Sequence, residues 1–223
     1  MKRTKLKDRI LPNYSRGEEI FNMVSHIVGG ALGILALVLC VVMAVRKHKA
    51  IDVVGCAIYG ASMTILYTVS SIYHGLNKGL AKKVMQVVDH CTIYFLIAGT
   101  YTPILLSAIR LVSPVACWVL LCIEWGLAFL AATLTAIDLK RYEIFSMVCY
   151  VSMGWCIVFI GRQLIQAVSP GGLVLLFGGG VAYTVGAVLY GIGKKKRYMH
   201  SVFHLFCLAG SLLHFLCILL FIL

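Results

Sequence analysis

Three histidines carry the strongest chemical signal in the chain. His200 and His204 stand four residues apart, so on a helix their side chains lie about 40° apart around the axis and both imidazoles reach one point. His74 sits in an earlier apolar run, at the same i, i+4 spacing from Ser70. Two imidazoles from one helix and a third from another make a three-nitrogen set, the usual protein complement of a catalytic zinc whose fourth position holds water. Asp89, on a further run, is placed to hydrogen-bond that water, which ionises near neutral pH and becomes a nucleophile. A lone histidine in such a run is more often a helix-to-helix hydrogen-bond donor. The pair with an acid opposite is what sets this group apart.

The other polar residues in apolar runs are weaker candidates. His90 follows Asp89 by about 100° of helix rotation and is expected to face the interface or a neighbour. His214 lies ten residues past His204, about 15 Å along the axis, too far to share a metal. Glu124 falls mid-run and reads either as a protonated packing residue or as part of a proton path. Glu19, Asn22 and His26 stand at i, i+3 and i+7 on one helix face. From the residues alone they read as a helix cap with a packed histidine.

The elements that carry these residues follow from composition. Of 223 residues, 61% are hydrophobic and 13% charged, with a mean hydropathy of +0.96. A water-soluble domain has no use for that much apolar surface. Apolar runs punctuated by charge predict an all-α integral membrane protein, a bundle of seven transmembrane helices at about 20–45, 51–76, 84–109, 112–137, 143–161, 172–193 and 199–222. A basic tail, 1–19, precedes the membrane domain, 20–223. The polar stretch after Arg9 and the length of the first apolar run argue against a cleaved signal peptide. Pro114 sits where a helix start tolerates it, whereas Pro103 falls inside the third span and is expected to kink it, freeing a carbonyl for the Thr100 or Thr102 hydroxyl. The small residues Gly29, Gly30 and Gly33, and Gly178 to Gly180, are expected to let helices approach closely.

The net charge of +12 does not point to nucleic acid, because the basic residues sit in short tracts between apolar runs and read as topology signals. With seven helices, 15 Lys and Arg fall on the side of the N-terminal tail, Lys78, Lys82 and Lys83 in the second loop among them, and 5 on the other. That excess predicts a cytoplasmic N-terminus and an external C-terminus, the reverse of a G-protein-coupled receptor. His74 is four residues before Lys78, Asp89 six after Lys83, and His200 and His204 three and seven after Arg197. His26 is about two turns into its span, so all five lie in the inner third of the membrane. The nine cysteines are odd in number and lack CxxC spacing, and are expected to be reduced packing residues.

The chain also resembles the haemolysin III family, the bacterial branch of the progestin and adipoQ receptor superfamily, over essentially its whole length. The resemblance rests on Glu19-Ile-Phe-Asn22-Met-Val-Ser-His26, on Ser70-Ser-Ile-Tyr-His74 followed fifteen residues later by Asp89, and on His200-Ser-Val-Phe-His204. It implies a zinc near the inner leaflet bound by residues matching His74, His200 and His204, with Asp89 at the position that holds the metal-bound water, Ser70 the hydroxyl beside it, and Glu19, Asn22 and His26 as residues that orient the ligands from behind. Adiponectin receptor relatives and alkaline ceramidases imply intramembrane hydrolysis of lipid amides, ceramide being the proposed substrate. The bacterial branch is named for haemolysis and is linked to membrane homeostasis. Ser201 stands where receptor members commonly have Pro, a departure that weakens transfer of substrate identity.

Two functions follow as expectations. One is a zinc-dependent hydrolase of lipid amides or esters in a bacterial plasma membrane, with Asp89 as general base, Ser70 assisting, and a lipid substrate or free fatty acid in an intramembrane cavity. The other is a non-enzymatic cytolytic, pore-forming or membrane-homeostasis protein whose metal is structural. A water-filled pore needs a polar stripe along a helix, which the sequence offers only weakly.

Overall fold

Ser15 starts the first membrane helix. Its hydroxyl accepts from the Glu18 amide at 3.4 Å while the Glu18 carboxylate accepts from the Ser15 amide at 2.8 Å, a reciprocal cap that satisfies two amides with no partner inside the helix. The helix therefore begins at Arg16, four residues ahead of the expected span. The computed structural model describes residues 4–47, 49–193 and 196–223. Among them there are no strands, and seven helices are long and apolar enough to cross a membrane: α1 (Arg16–Arg46), α2 (Ala50–Gly75), α3 (Leu80–Val112), α4 (Pro114–Ile137), α5 (Glu143–Ala167), α6 (Pro170–Gly193) and α7 (Met199–Ile222). Four of the basic residues in the topology count, Lys2, Arg3, Lys194 and Lys195, lie outside the described residues.

Large apolar side chains point outward all around the bundle, Phe159 at 90%, Ile144 at 81% and Val115 at 74% exposure among them. That is tolerable only in hydrocarbon, where no water must be ordered around them. The interior is held by close approach. A side chain at Gly29 would strike the Tyr67 ring, one at Gly33 would meet the Thr64 backbone, and one at Gly60 would strike the Leu37 backbone, so α1 and α2 pack at glycine distance. Gly179 does the same for His214 on α7.

Two helices depart from expectation in detail. Around Pro103, α3 stays continuous and passes into a π-helical stretch at Leu105–Ile109. The Thr100 and Thr102 hydroxyls donate to Leu96 and Ala98, not to the Gly99 carbonyl that the proline leaves without its helical partner. Each hydroxyl reaches the carbonyl four residues back on its own face, so neither is aimed at the freed one. Helix α5 continues six residues beyond its expected end, through a 3-10 stretch at Cys156–Ile160. The Tyr101 hydroxyl enters the ladder there, accepting from the Ile157 amide and donating to the Gly154 carbonyl, both at 3.0 Å.

Before α1, the chain crosses the end of the bundle. The Thr4 amide donates to Asp138, between α4 and α5, at 2.8 Å. Arg9 donates to Gln86 on α3, and Lys78, between α2 and α3, donates to Asn13. This segment ends at Tyr14, over the cluster described next.

Candidate metal centre

His74 is in the last turn of α2, and His200 and His204 are in the first turns of α7, so all three stand at the end of the bundle that the N-terminal segment crosses. The α7 start is tied to α1: the Tyr198 amide, just before the helix, donates to Glu18 at 2.7 Å. Tyr198 has φ 62°, a left-handed conformation that costs a side-chain-bearing residue about 1–2 kcal/mol. The Glu18 contact helps hold it, and α7 then departs with both histidines turned inward.

The three Nε2 atoms converge. His200 Nε2 is 3.3 Å from His74 Nε2 and 3.1 Å from His204 Nε2, and ligand atoms of all three lie within 4.8 Å of one another. Nitrogens bound tetrahedrally at about 2.0–2.1 Å stand roughly 3.3 Å apart, so the spacing fits a single ion.

The hydrogen bonds behind the rings point the same way. His74 Nδ1 is 2.7 Å from Glu19 Oε2. A carboxylate only accepts, so Nδ1 carries the hydrogen and Nε2 presents a lone pair. Ser25 donates its hydroxyl hydrogen to the Asn22 carbonyl at 2.9 Å and lies 3.3 Å from His204 Nδ1; its oxygen therefore accepts from Nδ1–H, and the His204 Nε2 also presents a lone pair. A proton on His200 Nε2 can serve only one of those two neighbours, whereas a cation at the centre serves all three nitrogens. Three imidazoles without a thiolate suit zinc, copper, iron or nickel.

The residues expected to act from behind are all in contact with the histidines. Glu19 holds His74, and Asn22 Oδ1 accepts from the Ser201 hydroxyl at 2.7 Å on the helix that carries the pair. His26 stacks on His204 with centroids 3.6 Å apart and planes 7° apart. Parallel rings direct their in-plane lone pairs side by side, so His26 supports the cluster without joining it. Tyr14 stacks on His200, centroids 4.9 Å apart and planes 14° apart, and closes the cluster on its outer side.

Asp89 and Ser70 lie on the inner side. The Ser70 hydroxyl is in polar contact with the Asp89 carboxylate, and both line a cavity of about 180 Å3 together with His26, His200 and His204. The cavity runs along the bundle between apolar and aromatic walls that include Ile93, Leu96, Trp155 and Phe203, and ends near His214. His90, expected to face the interface or a neighbour, lines it as well, its Nδ1 donating to the Gln86 carbonyl at 2.8 Å. His214 donates to the Leu176 carbonyl, and Glu124 is fully buried apart from the cluster.

Sequence reasoning missed three contributors. Ser25, Tyr14 and Lys82 touch the histidines or their partners. Ser25 lies on the face marked by Asn22 and His26, which was a usable signal, but the other two come from segments that read as tail and loop.

A family model described as "Haemolysin-III related" matches residues 14–215. "Hemolysin-3" of Bacillus cereus is 37% identical over 206 residues, 92% of either chain. "Hemolysin-3 homolog" of Bacillus subtilis is 37% identical over 202 residues, 91% of this chain and 93% of that one. "Monocyte to macrophage differentiation factor" of Homo sapiens is 26% identical over 168 residues, 71% of this chain and 66% of that one.

Proposed function

The chain belongs to the haemolysin III family of integral membrane proteins, and from that premise we propose that it is a zinc-dependent intramembrane hydrolase of lipid amides or esters. The observation that carries this reading is the pairing of three converging imidazoles with a mostly apolar cavity in which Asp89 and Ser70 are the adjoining polar groups. His74, His200 and His204 would hold the ion. Zinc bound there supplies Lewis acidity, polarising a carbonyl and making water more acidic.

The chain's own residues do the rest. The apolar walls take an acyl chain and keep bulk water from the reacting carbonyl. Asp89 accepts a proton from the attacking water and passes it to the leaving amine or alkoxide oxygen. Ser70 orients that carboxylate until it takes up the proton, and its hydroxyl hydrogen then turns to the negative charge developing on the carbonyl oxygen. Glu19 and Ser25 keep the His74 and His204 rings in the tautomer that leaves Nε2 free.

In the alternative reading the same histidines only staple α2 to α7, in a lytic or membrane-homeostasis protein. A staple has no use for an acid and a hydroxyl facing a cavity, which favours hydrolysis. Asp89→Asn decides between them. An enzyme retains its metal but loses turnover by about 10²–10⁴-fold, the worth of a general base, and its lipid substrate accumulates in membranes profiled against wild type. Unchanged lipid profiles with unchanged lytic activity would refute the hydrolase.

A further inference from the structure

Lys82 is counted in the sequence with the loop charges, yet it is 2% exposed. It is the third residue of α3, where a cation opposes the positive end of the helix dipole. A buried ammonium is tolerated only when its donors are paired. Lys82 has three donors and three acceptors: Glu19 Oε1 at 2.8 Å, the Leu76 carbonyl at 2.9 Å and the His74 carbonyl at 3.3 Å. The last two belong to the closing turn of α2, whose negative dipole end and unpaired carbonyls attract a cation. The ammonium also lies 5.1 Å from the centre of the Tyr73 ring.

These contacts reach His74 by two routes. One runs through its own main-chain carbonyl, and the other through Glu19, whose second oxygen holds the ring at Nδ1. Lys82 thus ties α1 and α3 to the turn that carries His74. We propose that Lys82 is a positioning residue of the metal centre, fixing Glu19 and the end of α2 so that His74 Nε2 points at His200 and His204. This rests on the reading of the cluster as a metal site.

The test uses purified full-length protein and cobalt(II), whose visible absorption reports coordination geometry. Wild type is titrated first, followed by Lys82→Met, Lys82→Gln, Glu19→Gln and the double variant Glu19→Gln/Lys82→Met. The proposal predicts that Lys82→Met weakens cobalt binding by about 10–100-fold, as loss of groups supporting a ligand does, and changes the absorption. Lys82→Gln, which keeps a donor on a side chain one atom shorter, weakens it less; it also serves as the test if the methionine variant does not fold. Because Lys82 acts largely through Glu19, the double variant binds about as weakly as the weaker single one. Wild-type affinity and spectrum in both Lys82 variants, or fully additive losses, would overturn the proposal and leave Lys82 as a helix cap. Failure of wild type itself to bind cobalt would overturn the metal reading, and is seen before any substitution is made.

Discussion

At the scale of single residues, the centre is a set of rings held from behind. Glu19 and Ser25 fix two of them by hydrogen bonds, while His200 Nδ1 has no partner among the described residues and Tyr14 covers that ring by stacking. Tyr14→Ala should therefore speed loss of the ion to a water-soluble chelator by about two- to tenfold, the worth of one aromatic contact, whereas Tyr14→Phe should not. Stopped-flow transfer of cobalt to EDTA measures this, and equal rates in all three proteins would refute the covering role. The convergence of the three histidines was legible because i, i+4 spacing and distance from the flanking charges are properties of sequence. Lys82 was not, because a lysine between two spans reads the same whether it faces water or turns inward to cap a neighbouring helix. That His90 also lines the cavity was not legible for a related reason: 100° from Asp89 is a different face of one helix, but the cavity is broad enough to touch both.

At the scale of elements, caps and clasps set the positions. The reciprocal Ser15 and Glu18 cap starts α1, and the free oxygen of Glu18 catches the Tyr198 amide at the start of α7, so one acid sets where two helices begin. Helix existence was readable from hydropathy alone, but neither this link nor the π-helical and 3-10 stretches were, since each depends on a partner distant in sequence. The N-terminal segment is clasped at Asp138, whose carboxyl is held below its ordinary pKa by the Thr4 amide and by amides of its own turn. A depressed carboxyl stabilises the clasp above the unfolded-state pKa and loses that contribution as pH falls through the folded value. Protection of the Thr4 amide from hydrogen exchange, corrected for intrinsic rate, should thus hold at neutral pH and collapse below about pH 4. In Asp138→Ala it should be low throughout, and protection that ignored both pH and the substitution would contradict this.

At the scale of the whole molecule, seven helices, an apolar exterior and basic tracts concentrated at one end make an integral membrane protein; its Bacillus relatives place it in a bacterial plasma membrane. The 15 to 5 excess of Lys and Arg argues that the metal-centre end faces the cytoplasm. A phosphatase that works only outside should be active when fused after Leu223 and inactive when fused after Lys78; the opposite pattern would invert the orientation. None of the chemistry survives, however, unless three imidazoles share one ion. The most direct measurement is the metal content of purified wild type beside the double variant His200→Ala/His204→Ala. One equivalent in the first and essentially none in the second is expected, and stoichiometric metal retained by the double variant would contradict the account.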